Sequence, residues 1–379
     1  MPLAAIALGQ LTHVPGSGRP VSITMPLPHL RRARLLAAAA LLLLPAPRAL
    51  RAQAPTVPSL TATERRQALD SAAALLAGRY LDAAAGARLA DSLRAWARRD
   101  AFATVAAPGR FADSLGRALR AVVADKHLYL RHVPGVQYVG GAGAGRIVDA
   151  GSPGPTMVRR SGRVDPRDSA TVARTNFGFA KVERLEGNVG YVKLDLLVPP
   201  DWARPTADAA LAFLRHSDAV ILDVRDVPGG APQMMQYLLS HFARGPATLL
   251  HASYARADGV SDSLWSVPAL AERGLGGKPL YILTSARSAS AAEMLAYVGQ
   301  RARLATIVGE TTSGAGNGGR PHTLGAGLQL FVPERRVLTG PGWEQTGVVP
   351  DVAVPAADAL ARALALARER TATSSNAAR

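Results

Sequence analysis

Two short runs follow each other closely in this chain: Pro279-Leu280-Tyr281-Ile282-Leu283-Thr284 and Ser288-Ala289-Ser290-Ala291-Ala292-Glu293. The first run is apolar and follows the turn former Gly277, which is typical of a buried strand. The second run leads into residues 291–301, where apolar side chains recur at helical spacing. Its serines, Ser288 and Ser290, are therefore expected at a helix N-terminus. Free N–H groups there favour a developing oxyanion, unless the serines serve only as N-caps.

Strands and helices alternate from residue 177 to about residue 354. Apolar runs predict the strands, and segments with a helical period predict the helices between them. Alternation of this kind indicates an α/β domain with a largely parallel sheet and crossover helices. The predicted strands are 179–185, 189–195, 218–224, 247–253, 279–284, 304–309 and 327–332, and the predicted helices are 205–216, 231–243 and 290–301.

The segment before this α/β core divides into two parts. Residues 55–125 predict a small bundle of three helices, the first of which opens with the capping-box sequence Thr61-Ala62-Thr63-Glu64. Residues 126–175 predict short strands and a surface linker. Their glycine-rich stretch 140–145 lacks the Gly-Lys-Ser/Thr of a phosphate loop, which favours a flexible turn. The predicted divisions are an upstream extension and signal peptide (1–54), a helical bundle (55–125), a strand and linker region (126–175), an α/β core (176–369) and a disordered tail (370–379).

The first 54 residues have the pattern of a targeting segment. After Met25 come a basic patch at 31–34, an apolar run at 35–44 and the small-residue motif Ala52-Gln53-Ala54. These are the three regions of a secretory signal peptide, and the apolar run is shorter than the ~20 residues of a spanning helix. We expect export to the periplasm or the cell exterior, with cleavage after Ala54 and no membrane span afterwards. A signal that is retained as an anchor is the alternative.

The composition excludes several classes of site. The 379 residues contain no cysteine, which excludes disulfides, a thiol nucleophile and cysteine-ligated zinc. The formal charge is +16, but six of these positive charges lie in residues 1–54, which leaves +10 on the mature chain. The remaining arginines are spread along amphipathic helices, and aromatic residues make up only 5% of the chain. Nucleic-acid binding, which needs clustered basic and aromatic residues, is therefore not expected.

Four segments carry glycine-rich or chemically reactive motifs: Asp125-Lys126-His127-Leu128, residues 219–230, residues 288–312 and residues 339–351. Together and in this order, they resemble the S41 serine peptidases, which include the tail-specific or C-terminal-processing peptidases and tricorn peptidase. The resemblance covers roughly residues 60–355 and implies a ClpP/crotonase-like core with a mixed, largely parallel sheet. The lead-in strands and the helical N-terminal region are similar to the interphotoreceptor retinoid-binding-protein-like branch, which lacks a PDZ domain.

The resemblance implies that Ser290 is the nucleophile, activated by a base that takes its proton. In the processing peptidases this base is a lysine, but the matching position here is Ala315, which contradicts a Ser–Lys dyad. The tricorn-like arrangement uses an N-terminal histidine oriented by a C-terminal glutamate, and His127 and Glu344 match these two roles. His132 is the nearest rival to His127. A surface histidine and a turn carboxylate are the alternative interpretations of His127 and Glu344.

The resemblance also implies an oxyanion hole made of backbone N–H groups. Ala291 follows the nucleophile, and Gly229 or Gly230 is expected to supply the second donor because glycine allows close approach of the backbone to a substrate. The family has an asparagine where this chain has Val227, and valine offers no side-chain hydrogen bond. This substitution predicts a less firmly held turn. A tight strand-to-helix turn without a catalytic part is the alternative.

These residues predict an exported serine endopeptidase that cleaves peptides or unfolded protein tails through an acyl-enzyme. We expect no cofactor and no metal, because Asp125 with His127 is too small a cluster to hold an ion. The main alternative is a non-catalytic module that binds a small apolar ligand on the same fold. A crotonase-type acyl-CoA enzyme is disfavoured, because CoA is not expected outside the cytoplasm and no basic phosphate-binding cluster is visible.

Overall fold

The structure is a computed structural model, and it describes residues 59–133, 137–139, 146–148 and 172–377. The predicted signal peptide, the glycine-rich stretch 140–145 and the linker from 152 to 171 lie outside the described residues. The helices are α1 (Ala62–Arg79), α2 (Ala83–Arg98), α3 (Pro108–Val122), α4 (Pro200–Phe213), α5 (Pro232–Ser240), α6 (Pro268–Ala271), α7 (Ala291–Arg301) and α8 (Ala359–Ala377). The strands are β1 (Tyr129–His132), β2 (Gln137–Val139), β3 (Arg146–Val148), β4 (Phe179–Leu185), β5 (Val189–Leu194), β6 (Ala219–Asp223), β7 (Leu249–Ala255), β8 (Val260–Trp265), β9 (Leu280–Thr284), β10 (Thr306–Gly309), β11 (Gly318–Gly325), β12 (Leu328–Val337) and β13 (Val352–Ala353).

The three N-terminal helices begin where their sequences supply suitable first residues. α1 starts after Thr61, whose hydroxyl accepts a hydrogen bond from Glu64 N (3.2 Å) while the Glu64 carboxylate accepts one from Thr61 N (2.8 Å). This pair is the predicted capping box. α2 starts after Asp82, which accepts the Ala85 N–H (2.7 Å), and α3 has Pro108 at its first position.

The central sheet is mixed and largely parallel, as the sequence predicts. Its strand order is β13-β10-β9-β6-β5-β4, and every pairing is parallel except that of β4 with β5. β6 and β9 are buried at every residue, which explains why both are almost entirely apolar rather than alternating. Because the two strands are parallel, the turns that follow Asp223 and Thr284 begin at the same edge of the sheet.

A second sheet is antiparallel, with the order β1-β12-β7-β8 and with β11 paired to β12. The sequence predicts β7 and part of β12, but it does not predict β8 or β11. β8 is mostly exposed and carries polar residues between its apolar ends, while β11 is rich in glycine and polar residues. Neither strand has an apolar run or a regular alternation, so the periodicity of the sequence gives no signal for them.

Helices cover both sheets around hydrophobic cores. One core lies between the central sheet and helices α4, α5 and α7. Another joins the three N-terminal helices to the antiparallel sheet through Leu128, Leu130 and Leu330. The helical bundle is thus confirmed, but strands from much later in the chain complete its core. The division of the chain into domains stays a prediction.

The last helix covers the other face of the central sheet, where Ala359 and Ala363 of α8 pack with Ile221. α8 continues to Ala377, whereas the sequence predicts a disordered tail from residue 370. That prediction is wrong for residues 370–377. No glycine or proline interrupts α8, and its many alanines and arginines favour the helix, which therefore continues into the Ser/Thr-rich end.

Candidate active site

Ser290 lies in the turn that joins β9 to α7. β9 ends at Thr284, at the carboxyl edge of the central sheet, and α7 begins at Ala291. Ser290 is the residue before the helix, with φ 55° and ψ −116°. This conformation costs energy for a residue other than glycine, and strain of this kind is concentrated at functional sites. Ser290 is half-buried, and its backbone conformation differs from that of an ordinary N-cap residue.

Ser288, the other candidate serine, has a structural role. It is fully buried, and its hydroxyl donates to Val224 O (2.8 Å) and accepts the Ser285 N–H (3.0 Å). These bonds tie the turn after β9 to the end of the neighbouring strand β6. Its hydroxyl is thereby committed to the protein, which leaves Ser290 as the serine of this motif that is partly open to solvent.

The carboxylate of Glu293 holds the Ser290 turn in place. Glu293 is fully buried and accepts five hydrogen bonds, one of them from Ser290 N (2.8 Å). These donors replace the water that the carboxylate loses on burial. The sequence shows Glu293 only as part of the serine motif, but a charged residue on the buried face of α7 was a signal for this role. The other donors are Thr312 Oγ1 (2.6 Å), Ser313 Oγ (3.1 Å), Gly314 N (2.6 Å) and Ala315 N (2.9 Å).

Ala315 occupies the position at which the resemblance implies a lysine in the processing peptidases. It is buried, its N–H is bound by Glu293, and its carbonyl oxygen accepts a hydrogen bond from Trp343 Nε1 (3.2 Å). The methyl side chain has no proton-transfer chemistry. The structure therefore offers no lysine base at this position of the 312–317 loop.

Gly229 and Gly230 follow β6, and Gly229 lies beside Ser290. A Cβ atom at Gly229 (φ +140°) would stand 2.9 Å from Ser290 Cβ, so a larger residue there would displace the serine. A Cβ atom at Gly230 (φ +135°) would stand 2.2 Å from Leu197 O. Among the residues that the structure describes, the N–H groups of both glycines and of Ala291 donate to no protein acceptor. Free backbone donors next to a serine are what an oxyanion hole requires.

Val227 is held firmly without the asparagine that the family carries. Its side chain is fully buried in the core, its N–H donates to Val224 O (3.1 Å), and its carbonyl oxygen accepts the Ala289 N–H (3.0 Å). The second of these bonds links the glycine turn directly to the serine turn. The looser turn that the sequence predicts is therefore not seen.

His127 lies between α3 and β1, where the helical bundle meets the antiparallel sheet. The residue is 8% exposed, and its ring stacks on Phe331 with the ring centroids 5.4 Å apart. Its Nδ1 atom is buried without a hydrogen-bond partner. Burial lowers the pKa of His127 below the ordinary value, and the carboxylates of Glu344 and Glu293 oppose that shift. An imidazole that stays neutral near pH 7 can accept a proton, as a general base must.

Glu344 lies in the segment between β12 and β13 and is anchored by N–H donors. Its Oε2 atom accepts hydrogen bonds from Gly316 N (2.6 Å) and Asn317 N (2.9 Å). Its Oε1 atom accepts the N–H of Lys126 (3.1 Å) and the side-chain amide of Gln345 (3.1 Å). The Lys126 bond joins Glu344 to the residue before His127, which fixes the carboxylate against the histidine segment.

The structure brings His127 and Glu344 together, and it adds Asp125. One ring nitrogen of His127 and one carboxylate oxygen from each acid lie within 4.8 Å of one another. Glu293, which binds Ser290 N, is near enough to act on the pKa of His127. No hydrogen bond joins Ser290 Oγ to His127 among the described residues, and catalytic contacts of this kind often tighten only when substrate binds.

Asp125, His127 and Glu344 also meet the distance requirement for a small metal site, and they form a larger group than the Asp125–His127 pair seen in the sequence. However, each oxygen of Glu344 already accepts two N–H donors. Asp125 accepts three hydrogen bonds of its own. The lone pairs that would bind an ion are largely in use, so the donor set fits a hydrogen-bonded carboxylate pair better than a metal.

The other histidines do not join this group. His132, the predicted rival, lies at the end of β1 outside the three-residue cluster. Burial lowers the pKa values of His241 and His251 to about 4, and neither has a carboxylate hydrogen-bonded to its ring among the described residues. The acidic neighbours of His127 therefore separate it from His132, His241 and His251.

Comparison with protein-family models indicates the class of protein to which this site belongs. The model of peptidase family S41 matches residues 188–354, which contain Ser290, Gly229, Gly230 and Glu344. The fold and this match define a serine-type peptidase, a hydrolase. Residues 188–354 therefore resemble peptidase family S41. His127 lies before the matched segment, and the branch without a PDZ domain stays a prediction.

Several solved structures are similar to this chain. A protein from Parabacteroides merdae, described as a candidate peptidase, is 18% identical, covers 81% of this chain and 97% of its own, and has a TM-score of 0.51. The photosystem II D1 C-terminal processing protease is 16% identical, covers 77% of this chain and 93% of its own, and has a TM-score of 0.45. The tricorn protease is 16% identical, covers 79% of this chain and 35% of its own, and has a TM-score of 0.47. At these identities the likeness concerns the fold alone, and only the Parabacteroides merdae structure, with its TM-score above 0.5, supports it.

Proposed function

We propose that this protein is an exported serine endopeptidase that cleaves peptides or unfolded protein tails with the triad Ser290, His127 and Glu344. The observation that carries the proposal is the proximity of His127 and Glu344, which come from distant parts of the sequence and have ligand atoms within 4.8 Å. The strained Ser290 lies in the S41 segment beside Glu293, whose charge acts on His127. A serine, a neutral buried imidazole and a carboxylate are the three parts of a triad.

In the proposed first step, Ser290 Oγ attacks the scissile carbonyl carbon while His127 takes the hydroxyl proton. Glu344 stabilises the imidazolium that forms, and its four donors keep its carboxylate in one position. The oxyanion accepts hydrogen bonds from the N–H of Ala291 and from Gly229 or Gly230. A single donor of this kind contributes roughly 10²–10³ in rate.

In the following steps, His127 donates its proton to the leaving amine, and an acyl-enzyme remains on Ser290. Water then attacks the ester carbonyl, with His127 again taking and returning the proton. No lysine base takes part, because Ala315 fills that position. The chain's own residues supply every proton acceptor in this scheme.

Extended peptides are the proposed substrates, because a peptide can add as a strand to an exposed sheet edge and place a carbonyl near Ser290. Export rests on the signal-peptide pattern and on the absence of cysteine. Within the described part of the chain, no helix is both long and apolar enough to cross a membrane.

The non-catalytic alternative has a separate place in the fold. A groove of about 480 Å³ lies against α4 and β4, and it is lined mainly by apolar side chains, including Phe179, Val182 and Phe213. None of Ser290, His127 and Glu344 lines this groove. A small apolar ligand bound there would not need the triad, so the two functions can be tested independently.

The test is digestion of a complex peptide mixture, read by mass spectrometry, with the protein recovered from its exported fraction. We expect the parent to cleave, Ser290→Ala to lose cleavage, and the exposed-serine control Ser261→Ala to match the parent. The same spectra give the N-terminus of the recovered protein, which is Pro55 if the signal is cut after Ala54. Equal, negligible cleavage by all three folded proteins would remove the peptidase and favour the ligand-binding alternative.

A further inference from the structure

Asp125 is a buried carboxylate that the triad does not use. It lies two residues before His127, is 2% exposed, and has no ion-pair partner among the described residues. Burying a carboxylate without a counter-charge is costly, and a neutral Asn or Ser could cap the same turn at lower cost. Capping of the local turn therefore does not explain why this position carries a carboxylate.

Three hydrogen bonds from three parts of the chain hold Asp125. Its Oδ1 atom accepts the backbone N–H of His127 (2.9 Å). Its Oδ2 atom accepts the hydroxyl of Tyr80 (2.8 Å), which ends α1, and the side-chain amide of Asn317 (2.9 Å). Asn317 also donates its backbone N–H to Glu344. Asp125 thus connects the helical bundle, the histidine and the 312–317 loop that anchors the triad glutamate.

The position of Asp125 also matters electrostatically. Its carboxylate lies within 4.8 Å of both a ring nitrogen of His127 and the carboxylate of Glu344. Burial and then the Glu344 charge raise the pKa of Asp125, while hydrogen bonds from Asn317, Tyr80 and His127 N lower it. His127 is charged only while it holds the proton of Ser290, and the acids that raise its pKa are Glu344 and Glu293. Asp125 therefore contributes by holding His127 against Glu344.

We propose that Asp125 is a positioning residue for His127: it fixes the histidine backbone beside Glu344, and Tyr80 and Asn317 hold it in place. The inference rests on the proposed Ser-His-Glu peptidase. It assigns to the helical bundle a part in positioning the proposed base, because Tyr80 belongs to that bundle. The charged or titratable groups near His127 are Asp125, Lys126, Glu344, Glu293, Tyr80, Arg120 and Tyr129.

The test compares Asp125→Asn with the parent on a peptide identified in the digestion experiment. An amide presents only one oxygen, so it cannot accept from His127 N and from Tyr80 and Asn317 together. We expect kcat to fall on the order of 10–100-fold with KM changed less than about twofold. If His127 is no longer held against Glu344, whose charge raises the pKa of the ring, the acidic limb of kcat/KM should move to lower pH by at least about half a unit.

Rates are normalised to the fraction of enzyme that reacts with a serine-directed fluorophosphonate, so that misfolded protein does not count. The matched control is Asp91→Asn, an exposed carboxylate on α2, which should leave both kcat and the pH profile unchanged. Tyr80→Phe keeps the aromatic packing and removes one donor to Asp125, so it should lower kcat several-fold even if Asp125→Asn does not fold.

Unchanged kcat and an unchanged acidic limb per active site in Asp125→Asn and Tyr80→Phe would overturn this inference while leaving the peptidase intact. Loss of cleavage in Ser290→Ala together with those unchanged values would show that the triad works without Asp125. Cleavage that survives Ser290→Ala would instead remove the proposed function itself. The two failures are therefore distinguishable.

Discussion

Different parts of the structure hold Ser290 and His127, the proposed nucleophile and base. Ser290 is held by its own neighbourhood: the turn after β9, the glycine turn after β6 and the 312–315 loop after β10 all belong to adjacent parallel strands. His127 is held by distant partners, which include Tyr80 through Asp125, Phe331 on β12 and Glu344. The position of the proposed nucleophile therefore depends on local geometry, whereas that of the proposed base depends on how the bundle and the two sheets pack.

The largest expected effect follows from removing the base. His127→Ala should lower kcat/KM by at least about 10³-fold, because Ser290 then has no group to take its proton. His132→Ala, five residues along and outside the acidic cluster, should stay within about threefold of the parent. The measurement is cleavage of one defined peptide per mole of folded protein, with the folded fraction taken from circular dichroism. A larger loss in His132→Ala than in His127→Ala would move the base to the other end of β1.

One added methyl group at Gly229 should disturb the position of Ser290. In Gly229→Ala the new Cβ would stand 2.9 Å from Ser290 Cβ, at a φ of +140° that alanine rarely adopts. We expect kcat to fall about 10²-fold, since the serine or its oxyanion donor must shift. Gly245→Ala is the matched control, because Gly245 also has positive φ but no atom within 4 Å of the new Cβ.

This pair of variants separates backbone strain from displacement of Ser290. Both should lose some free energy of unfolding, about 1 kcal/mol or more, because both force alanine into a left-handed region. Only Gly229→Ala should lose activity when rates and urea unfolding are measured on the same preparations. Equal rates for the two variants would mean that Gly229 does not contact the reacting serine.

The same difference between local and distant contacts explains which elements of the fold could be predicted from the sequence. The buried strands β5, β6 and β9 and the helix after Ser290 have strong local patterns, and they lie where the sequence places them. The antiparallel strands β8 and β11 are exposed or glycine-rich, so no periodicity marks them. Their place in the sheet depends on pairing with β7 and β12, which is a tertiary property.

The residues of the candidate site also differ in how well the sequence predicts them. The Ser290 motif is visible as a strand followed by a small-residue turn and a helix, whereas His127 and Glu344 emerge only through the family resemblance. The roles of Asp125, Asn317 and Glu293 depend on hydrogen bonds between segments far apart in the chain. Single-sequence patterns contain no information on such contacts, so packing had to be seen before these roles could be assigned.

The smallest expected change in activity comes from Val227→Asn, which introduces the residue that the family carries. Val227 is fully buried in the apolar core, and two backbone hydrogen bonds already hold its turn. An asparagine amide there would lose water without an assured partner, so the free energy of unfolding should fall by about 2 kcal/mol. Because the turn keeps its backbone bonds, kcat should stay within about twofold of the parent.

Urea unfolding and peptide cleavage measure the two quantities in this variant. The control is Val260→Asn on the exposed edge strand β8, where the same change should cost no more than about 1 kcal/mol. A rise in kcat without loss of stability in Val227→Asn would mean that the side chain of an asparagine can reach the turn and hold it better than the backbone does. The Ser290 turn would then not be held by its backbone hydrogen bonds alone. Like the position of His127, it would depend on contacts with residues outside the turn.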